Sequence, residues 1–215
     1  LLLLFLGILV WYLNHKGPVI AIIFFTLSLW VITSSIYELY SHILLNIKNK
    51  KKTLNIPIKI ISQTFAHMGI AFLIFGATGS SVLKEEKIQF QEKGEIIKIK
   101  NYKIKFLDVI DVEGPNYISK TGNFEIYKDN KILRVLKPEK RFYYAGNQTT
   151  TEAAINSSLL GDLYIAIGDK NLSSKAEAWT TRIWYNPFTV WIWIGILFLV
   201  LGGIFSITKS FYTKK

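Results

Sequence analysis

The feature that most constrains this chain is the uncharged stretch from Ile60 to Leu83. Its 24 residues contain no Asp, Glu, Lys or Arg. A helix of about 20 residues, rising about 1.5 Å per residue, crosses the hydrocarbon core of a bilayer. We therefore predict a transmembrane helix over 60–83. Half of the chain is hydrophobic, and its apolar residues occur in blocks, which is typical of an integral membrane protein.

His67 is the one ionisable side chain of this helix. An imidazole inside a membrane is costly unless a water-lined cavity, a hydrogen-bonding neighbour or a metal partners it. Helical spacing places five residues on its face: Gln63, Ile70, Ala71, Ile74 and Thr78. Small residues form a strip on roughly the opposite side: Ala66, Gly69, Gly76 and Ser80. We expect the helix to pack through this strip and to present His67 on the other face. Iron or metal binding and hydrogen bonding within the bundle both remain open.

Other apolar segments predict further spans. Leu1–Leu13 is too short to cross a bilayer, so we interpret it as a truncated span and the chain as the C-terminal piece of a longer protein. A signal peptide is the alternative, which the missing basic leader and cleavage site disfavour. A polar turn over 14–18 precedes a second predicted span, Val19–Tyr37. Pro187–Ile207 is predicted to form the last span. Four aromatic residues are predicted at its outer membrane interface: Trp184, Tyr185, Trp191 and Trp193.

Lysines define the expected topology. The loop from Asn46 to Lys59 contains five lysines and no acidic residue, and three more follow the last span: Lys209, Lys214 and Lys215. Both segments are cytoplasmic by the positive-inside rule, so the His67 helix runs outward. The formal net charge of +11 is then explained by topology, and we expect lipid but no nucleic acid as a partner.

Residues 84–186 form a different kind of sequence, with charges of both signs and alternating apolar residues, as in 95–100, 102–106 and 163–167. Lys128-Asp129-Asn130-Lys131 predicts a hairpin turn, because Asp and Asn tolerate positive φ angles. The predicted fold class is an integral membrane α-helical bundle of about four spans, the first truncated, with one inserted small all-β extracytoplasmic domain. A barrel and a sandwich remain alternatives for that domain.

The available chemistry is limited. The chain has no cysteine and three histidines, His15, His42 and His67, none of them in the β domain. This excludes disulfides, a thiolate nucleophile and a histidine base in that domain. Asp108, Asp111 and Glu113 offer too few oxygen ligands for Ca²⁺. Four cations are either solvated or available to the propionate groups of a ligand or to an acidic partner surface: Lys137, Lys140, Arg141 and Arg182.

Five motifs follow one another along the chain: Ala66-His67-Met68-Gly69-Ile70-Ala71, Pro138–Tyr143, Thr150–Ile155, Gly161–Tyr164 and Tyr185–Gly195. In this order they resemble the C-terminal region of the CcmF/NrfE-type cytochrome c haem lyases. The resemblance extends from about Ile60 to the end of the chain.

The resemblance implies haem attachment through thioether bonds to the CxxCH cysteines of an exported apocytochrome c. It also implies a b-type haem held between two transmembrane histidines, of which His67 matches the second, as an axial iron ligand. A haem-delivery chaperone and other maturation subunits are the implied partners. We expect no catalytic side chain in this fragment, which lacks the family's tryptophan-rich segment, so whether it is an enzyme by itself stays open.

The implied location is the bacterial inner membrane, with the β domain in the periplasm; the mitochondrial inner membrane is the alternative. Two other functions remain possible. One is a membrane-anchored scaffold whose β domain binds partners and whose His67 binds no haem. The other is part of a transporter, which the long exported domain and the lack of an internal repeat disfavour.

Overall fold

The structure, a computed structural model, describes Gly7 and residues 18–48, 56–171 and 177–212, with side chains described up to 208. Several predictions fall outside these residues. They are the truncated span over 1–13 apart from Gly7, the turn over 14–17, His15, and the lysines at 50–52 and 214–215. Within the described residues, the chain divides into a helical unit and a β unit, Leu83–Pro187.

Three helices form the helical unit: α1 (Val19–Lys48), α2 (Ile58–Val82) and α3 (Thr189–Tyr212). Each contains a stretch long and apolar enough to cross a membrane. The membrane bundle predicted from the sequence is therefore confirmed for these three helices. Helix α1 runs past its predicted end at Tyr37, because no helix-breaking residue intervenes before Lys48. Helix α2 begins after Pro57, whose carbonyl accepts the Ile60 amide at 2.9 Å.

Helices α2 and α3 pack backbone to backbone through glycines. A Cβ atom on Gly69 would lie 2.8 Å from the carbonyl oxygen of Gly195 and 2.8 Å from the amide nitrogen of Leu199. Further along α2, a Cβ on Gly76 would meet α3 just as closely, 2.8 Å from the amide nitrogen of Ile192. The Ser62 hydroxyl donates to the Gly202 carbonyl at 2.8 Å. Gly69 and Gly76 of the predicted small-residue strip thus contact α3, since only glycine permits this approach.

Helix α1 packs on a second side of α2. The rings of Phe25 and Phe75 lie 5.4 Å apart, and the Gln63 amide donates to the Glu38 carboxylate at 3.5 Å. Buried small residues recur every seven positions on both helices: Ala21, Ser28 and Ser35, and Thr64, Ala71 and Thr78. The expectation that α2 packs through one face is therefore wrong, because Ala71 and Thr78 are small enough to form a second contact surface.

The β unit is a sandwich of two antiparallel sheets. One sheet has the order β1-β10-β9-β8, and the other β2-β3-β4-β6-β7, with β5 also pairing with β4. The strands are β1 (Glu85–Glu92), β2 (Ile96–Ile99), β3 (Tyr102–Glu113), β4 (Tyr117–Lys128), β5 (Lys131–Leu136), β6 (Glu139–Tyr143), β7 (Gln148–Glu152), β8 (Ala154–Asn156), β9 (Gly161–Lys170) and β10 (Ala178–Pro187).

Alternating apolar residues from both sheets form the core of the sandwich. Phe106 and Phe124 stack at 5.0 Å from one sheet, opposite Ile165 and Ile183 from the other. The predicted hairpin is present, with Lys128 paired to Lys131 and Asp129 and Asn130 at φ of 51° and 61°. Of the two predicted alternatives, barrel and sandwich, the structure has the sandwich, because the described strands form two separate sheets rather than one closed sheet.

Two of the four aromatic residues predicted at the membrane interface belong to the sandwich instead. Tyr185 is buried in its core, and its ring lies 6.0 Å from that of Tyr102. Trp184 lies in β10 and stacks on Tyr164 at 5.2 Å. The prediction is wrong for Tyr185, because strand alternation turns this side chain inward. Trp191 and Trp193 do lie in α3.

We expect Gly69→Ala to weaken the α2–α3 contact, because the added methyl group meets backbone atoms that cannot move aside. Gly203→Ala is the matched control, since a Cβ there meets nothing within 4 Å. Unfolding of the full chain by SDS in mixed micelles, followed by helical circular dichroism, measures the difference. Equal midpoints for the two variants would contradict the packing described.

A second pair of variants tests the sandwich core. Phe106→Ala should destabilise the β unit by about 3–5 kcal/mol, because it removes a fully buried ring. Phe90→Ala is the control, since Phe90 is 56% exposed. Hydrogen exchange of the β9 amides in the full chain reports the loss, and equal protection in both variants would show that Phe106 is not a core residue.

Candidate functional site

His67 lies on the surface of α2, in the half of the helix that follows the lysine-rich loop. Its side chain is exposed, and it forms no hydrogen bond or ion pair with any residue that the structure describes. The glycines that contact α3 lie on the opposite side of α2. The line of small residues towards α1, which includes Thr64 and Ala71, lies beside His67. The structure thus presents the imidazole at the surface of the helix, next to the α1 contact.

The residues around His67 are apolar towards one end of α2 and polar towards the other. One turn later on the same side, Ile70 is 47% exposed. One turn earlier, Gln63 donates to Glu38. The antiparallel register set by this contact and by the Phe25–Phe75 pair brings Thr33 and Ser34 of α1 to the level of His67. Both hydroxyls donate to carbonyls of their own helix, so neither is committed to the imidazole.

The Glu38–Gln63 contact was missed by the sequence analysis. Glu38 directly follows the predicted second span, Val19–Tyr37, and Gln63 is predicted only as a neighbour of His67 on one face of the helix. The signal was an acidic residue continuing an apolar helix without a break. Such a carboxyl group needs a polar partner at this depth, and an amide on the neighbouring helix is one.

An exposed imidazole on an apolar helix fits an axial ligand of haem iron. Neutral imidazole is a common ligand of haem iron, and a macrocycle needs apolar side chains along its faces. His67 supplies the first, and Ile70 contributes to the second. A structural role in the bundle would instead require a hydrogen bond from the ring N–H, and His67 makes none with any residue that the structure describes.

The cations considered as propionate partners are mostly paired inside the β unit. Lys140 pairs with Asp169, Arg182 with Glu86, and the Arg141 guanidinium with Glu139 at 2.7 Å. Arg141 also lies over the ring of Tyr117, 4.5 Å from its centroid. Each of these three cations therefore already has a carboxylate partner within the sandwich.

The electrostatics of the β unit agree with a structural role for its charges. Hydrogen bonds from Arg182 and Lys84 hold the pKa of Glu86 below its usual value. Burial raises the pKa of Tyr164 and of Tyr185. Asp111 pairs with Lys120 at 2.6 Å. Across the described residues, no three His, Cys, Asp or Glu side chains are grouped so that they could hold a metal ion.

Comparison with known proteins identifies the family that this chain resembles. A sequence model of the family described as "CcmF C-terminal beta-sandwich" matches residues 82–187, the β unit. The "Cytochrome c-type biogenesis protein CcmF" of Haemophilus influenzae is 40% identical over 139 residues, which cover 65% of this chain and 21% of that protein. The Escherichia coli K12 protein of the same name is 30% identical over 205 residues, covering 95% of this chain and 30% of that protein.

A solved structure, "Cytochrome c Heme Lyase CcmF", has the same fold. It superposes with a TM-score of 0.66 at 14% identity, covering 95% of this chain and 33% of that one. The chain therefore spans between a fifth and a third of the length of these relatives. The match of its sandwich to the family's own C-terminal domain, together with the relatives that align through the helices as well, shows that the chain belongs to the CcmF family of cytochrome c-type biogenesis proteins.

Proposed function

We propose that this chain is part of a haem lyase for cytochrome c maturation and that His67 is an axial ligand of a transmembrane b-type haem. The observation that carries the proposal is the exposed imidazole on a membrane-spanning helix, without a partner among the described residues. The names of the relatives support the pathway, since they are cytochrome c-type biogenesis proteins and one solved relative is called a haem lyase.

In this function, the residues of the chain position the imidazole of His67. The glycine contact with α3 fixes the rotation of α2, so that His67 is turned away from α3. A bound haem would supply redox chemistry, with the imidazole as one iron ligand. Attachment of haem to protein needs no nucleophile from this chain, because cysteine thiols of an apocytochrome c would react with the haem vinyl groups.

The proposed topology has the lysine-rich loop in the cytoplasm and the β unit in the periplasm of a bacterial inner membrane. The support is the distribution of lysines on either side of α2 and α3. Apocytochrome c, a haem-delivery chaperone and other maturation subunits are the proposed partners. Apocytochrome c is exported, so a periplasmic β unit would lie on the side where the substrate is found.

We expect His67→Ala to remove or alter the b-type haem of the full-length protein that contains this chain. Loss of one axial imidazole changes the ligation of the iron, which a reduced-minus-oxidised absorption spectrum and haem extraction detect. The matched control is His42→Ala, because His42 lies in α1 and is also a histidine of the helical unit. The control should retain the wild-type spectrum and haem content.

Ligand replacement sharpens this test. In His67→Gly, added imidazole should restore the wild-type spectrum, since free imidazole can occupy the position of the deleted ring. An unchanged spectrum in His67→Ala would show that His67 is not a ligand. Absence of haem from the wild-type protein would favour the scaffold alternative, in which the β unit binds partners and His67 binds no haem.

A further inference from the structure

The turn between β8 and β9 has an unusual composition for a hairpin tip. Ser158 and Gly161 exchange two backbone hydrogen bonds, each with an N–O distance of 3.2 Å, and thereby close a tight turn. The two corner positions are Leu159 and Leu160, whose side chains are each 64% exposed. Turn corners usually carry Gly, Asn or Asp. Two adjacent exposed leucines therefore indicate a surface that is covered in the working protein.

This tip lies at the end of the sandwich through which the chain enters and leaves the β unit. Gly161 pairs with Pro187, and only Phe188 separates Pro187 from α3. On the other side of β10, Tyr185 pairs with Glu85, which follows α2 after two residues. We call this end, with the turns at 99–102, 128–131 and 158–161, the tethered end. The chain connects it directly to two helices long enough to cross a bilayer.

Lysines surround the tethered end on the second sheet. The ring contact of Tyr102 with Tyr185 brings the β2–β3 turn to this end, and the pairing of Tyr102 with Lys128 brings the β4–β5 turn there. A cleft of about 270 Å³ between these turns is lined by Lys98, Lys100 and Lys103 together with amide side chains. The lysines of this end are Lys87, Lys98, Lys100, Lys103, Lys128 and Lys131.

The acidic residues of this end neutralise only part of that charge. Glu85 pairs with Lys100 at 3.5 Å. Glu86 is committed to Lys84 and Arg182. The remaining exposed carboxylate, Asp129, lies at the rim of the cleft. Lys98 and Lys103 are exposed, face each other across β2 and β3, and have no carboxylate partner among the described residues.

We propose that the tethered end docks on an anionic phospholipid surface. Leu159 and Leu160 enter the boundary between headgroups and acyl chains, and the lysines bind lipid phosphates. A small apolar insertion flanked by cationic side chains is the combination that binds proteins to anionic interfaces. Two residues on one side and one on the other join this end to helices long enough to cross a bilayer, and this short connection favours lipid over a soluble protein as the occupant.

Because the chain contains no cysteine, single cysteines can report the depth of chosen positions. Leu160→Cys is compared with Ala145→Cys, which lies in the β6–β7 turn at the opposite end of the sandwich. Each full-chain variant is labelled with the fluorophore NBD and reconstituted into nanodiscs. The nanodiscs contain phosphatidylcholine alone or with phosphatidylglycerol, and a nitroxide on the acyl chain acts as quencher.

We expect several-fold stronger quenching at position 160 than at position 145, and stronger quenching in phosphatidylglycerol nanodiscs. Lys98→Gln combined with Lys103→Gln should reduce the phosphatidylglycerol dependence, whereas Lys120→Gln at the other end should not. Equal, weak quenching at both positions would overturn the proposal. A blue-shifted but unquenched label at 160 would also overturn it, since a protein surface would then cover the tip. Equal quenching in the two lipid mixtures would contradict the role of the lysines.

Discussion

The contact between Gly69 of α2 and Gly195 of α3 is the interaction on which the helical unit depends. Inside a membrane the hydrophobic effect does not drive helices together, so association depends on close packing and on polar contacts. Each glycine approaches the backbone of the other helix so closely that an added Cβ would lie within 2.8 Å of its atoms. Such a contact permits one rotation of α2 about its own axis. That rotation decides which residues face α3 and leaves His67 on the other side.

The same helix pair explains how a β domain can be inserted between two spans. In the half of α2 that precedes the β unit, Gly76 approaches the backbone of Phe188, the residue before α3. Within the sandwich, the first strand pairs with the last, Glu85 opposite Tyr185. Each unit therefore holds its two connections to the other unit side by side. A domain whose ends are neighbours can be inserted into a helix hairpin without separating the helices.

Features that depend on a residue's own size or backbone conformation were predicted well from the sequence. Features that depend on which helix or strand packs against the residue were not. Asp129 and Asn130 predicted their hairpin because positive φ angles are a local requirement. Gly69 and Gly76 predicted a packing surface because a strip of small residues on one helix face lets a second helix approach closely. Ala71 and Thr78 were assigned to the open face with His67, since a helical wheel gives directions but not the number of neighbouring helices. Tyr185 was assigned to the membrane because aromatic residues suit both interfaces and cores, and strand pairing decided between them.

A histidine at position 67 has different hydrogen-bonding needs from a serine or threonine at the same position. Ser28 and Thr78 donate to carbonyls four residues earlier on their own helices, at 2.8 and 2.7 Å. A serine or threonine at position 67 would satisfy itself in the same way. The imidazole of His67 makes no such bond to its own helix, and it carries a lone pair as well as an N–H group. Within a bilayer, His67 is therefore an expensive residue unless something outside its own helix binds it. The iron centre proposed above would use the lone pair, whereas a hydroxyl side chain would suffice for packing.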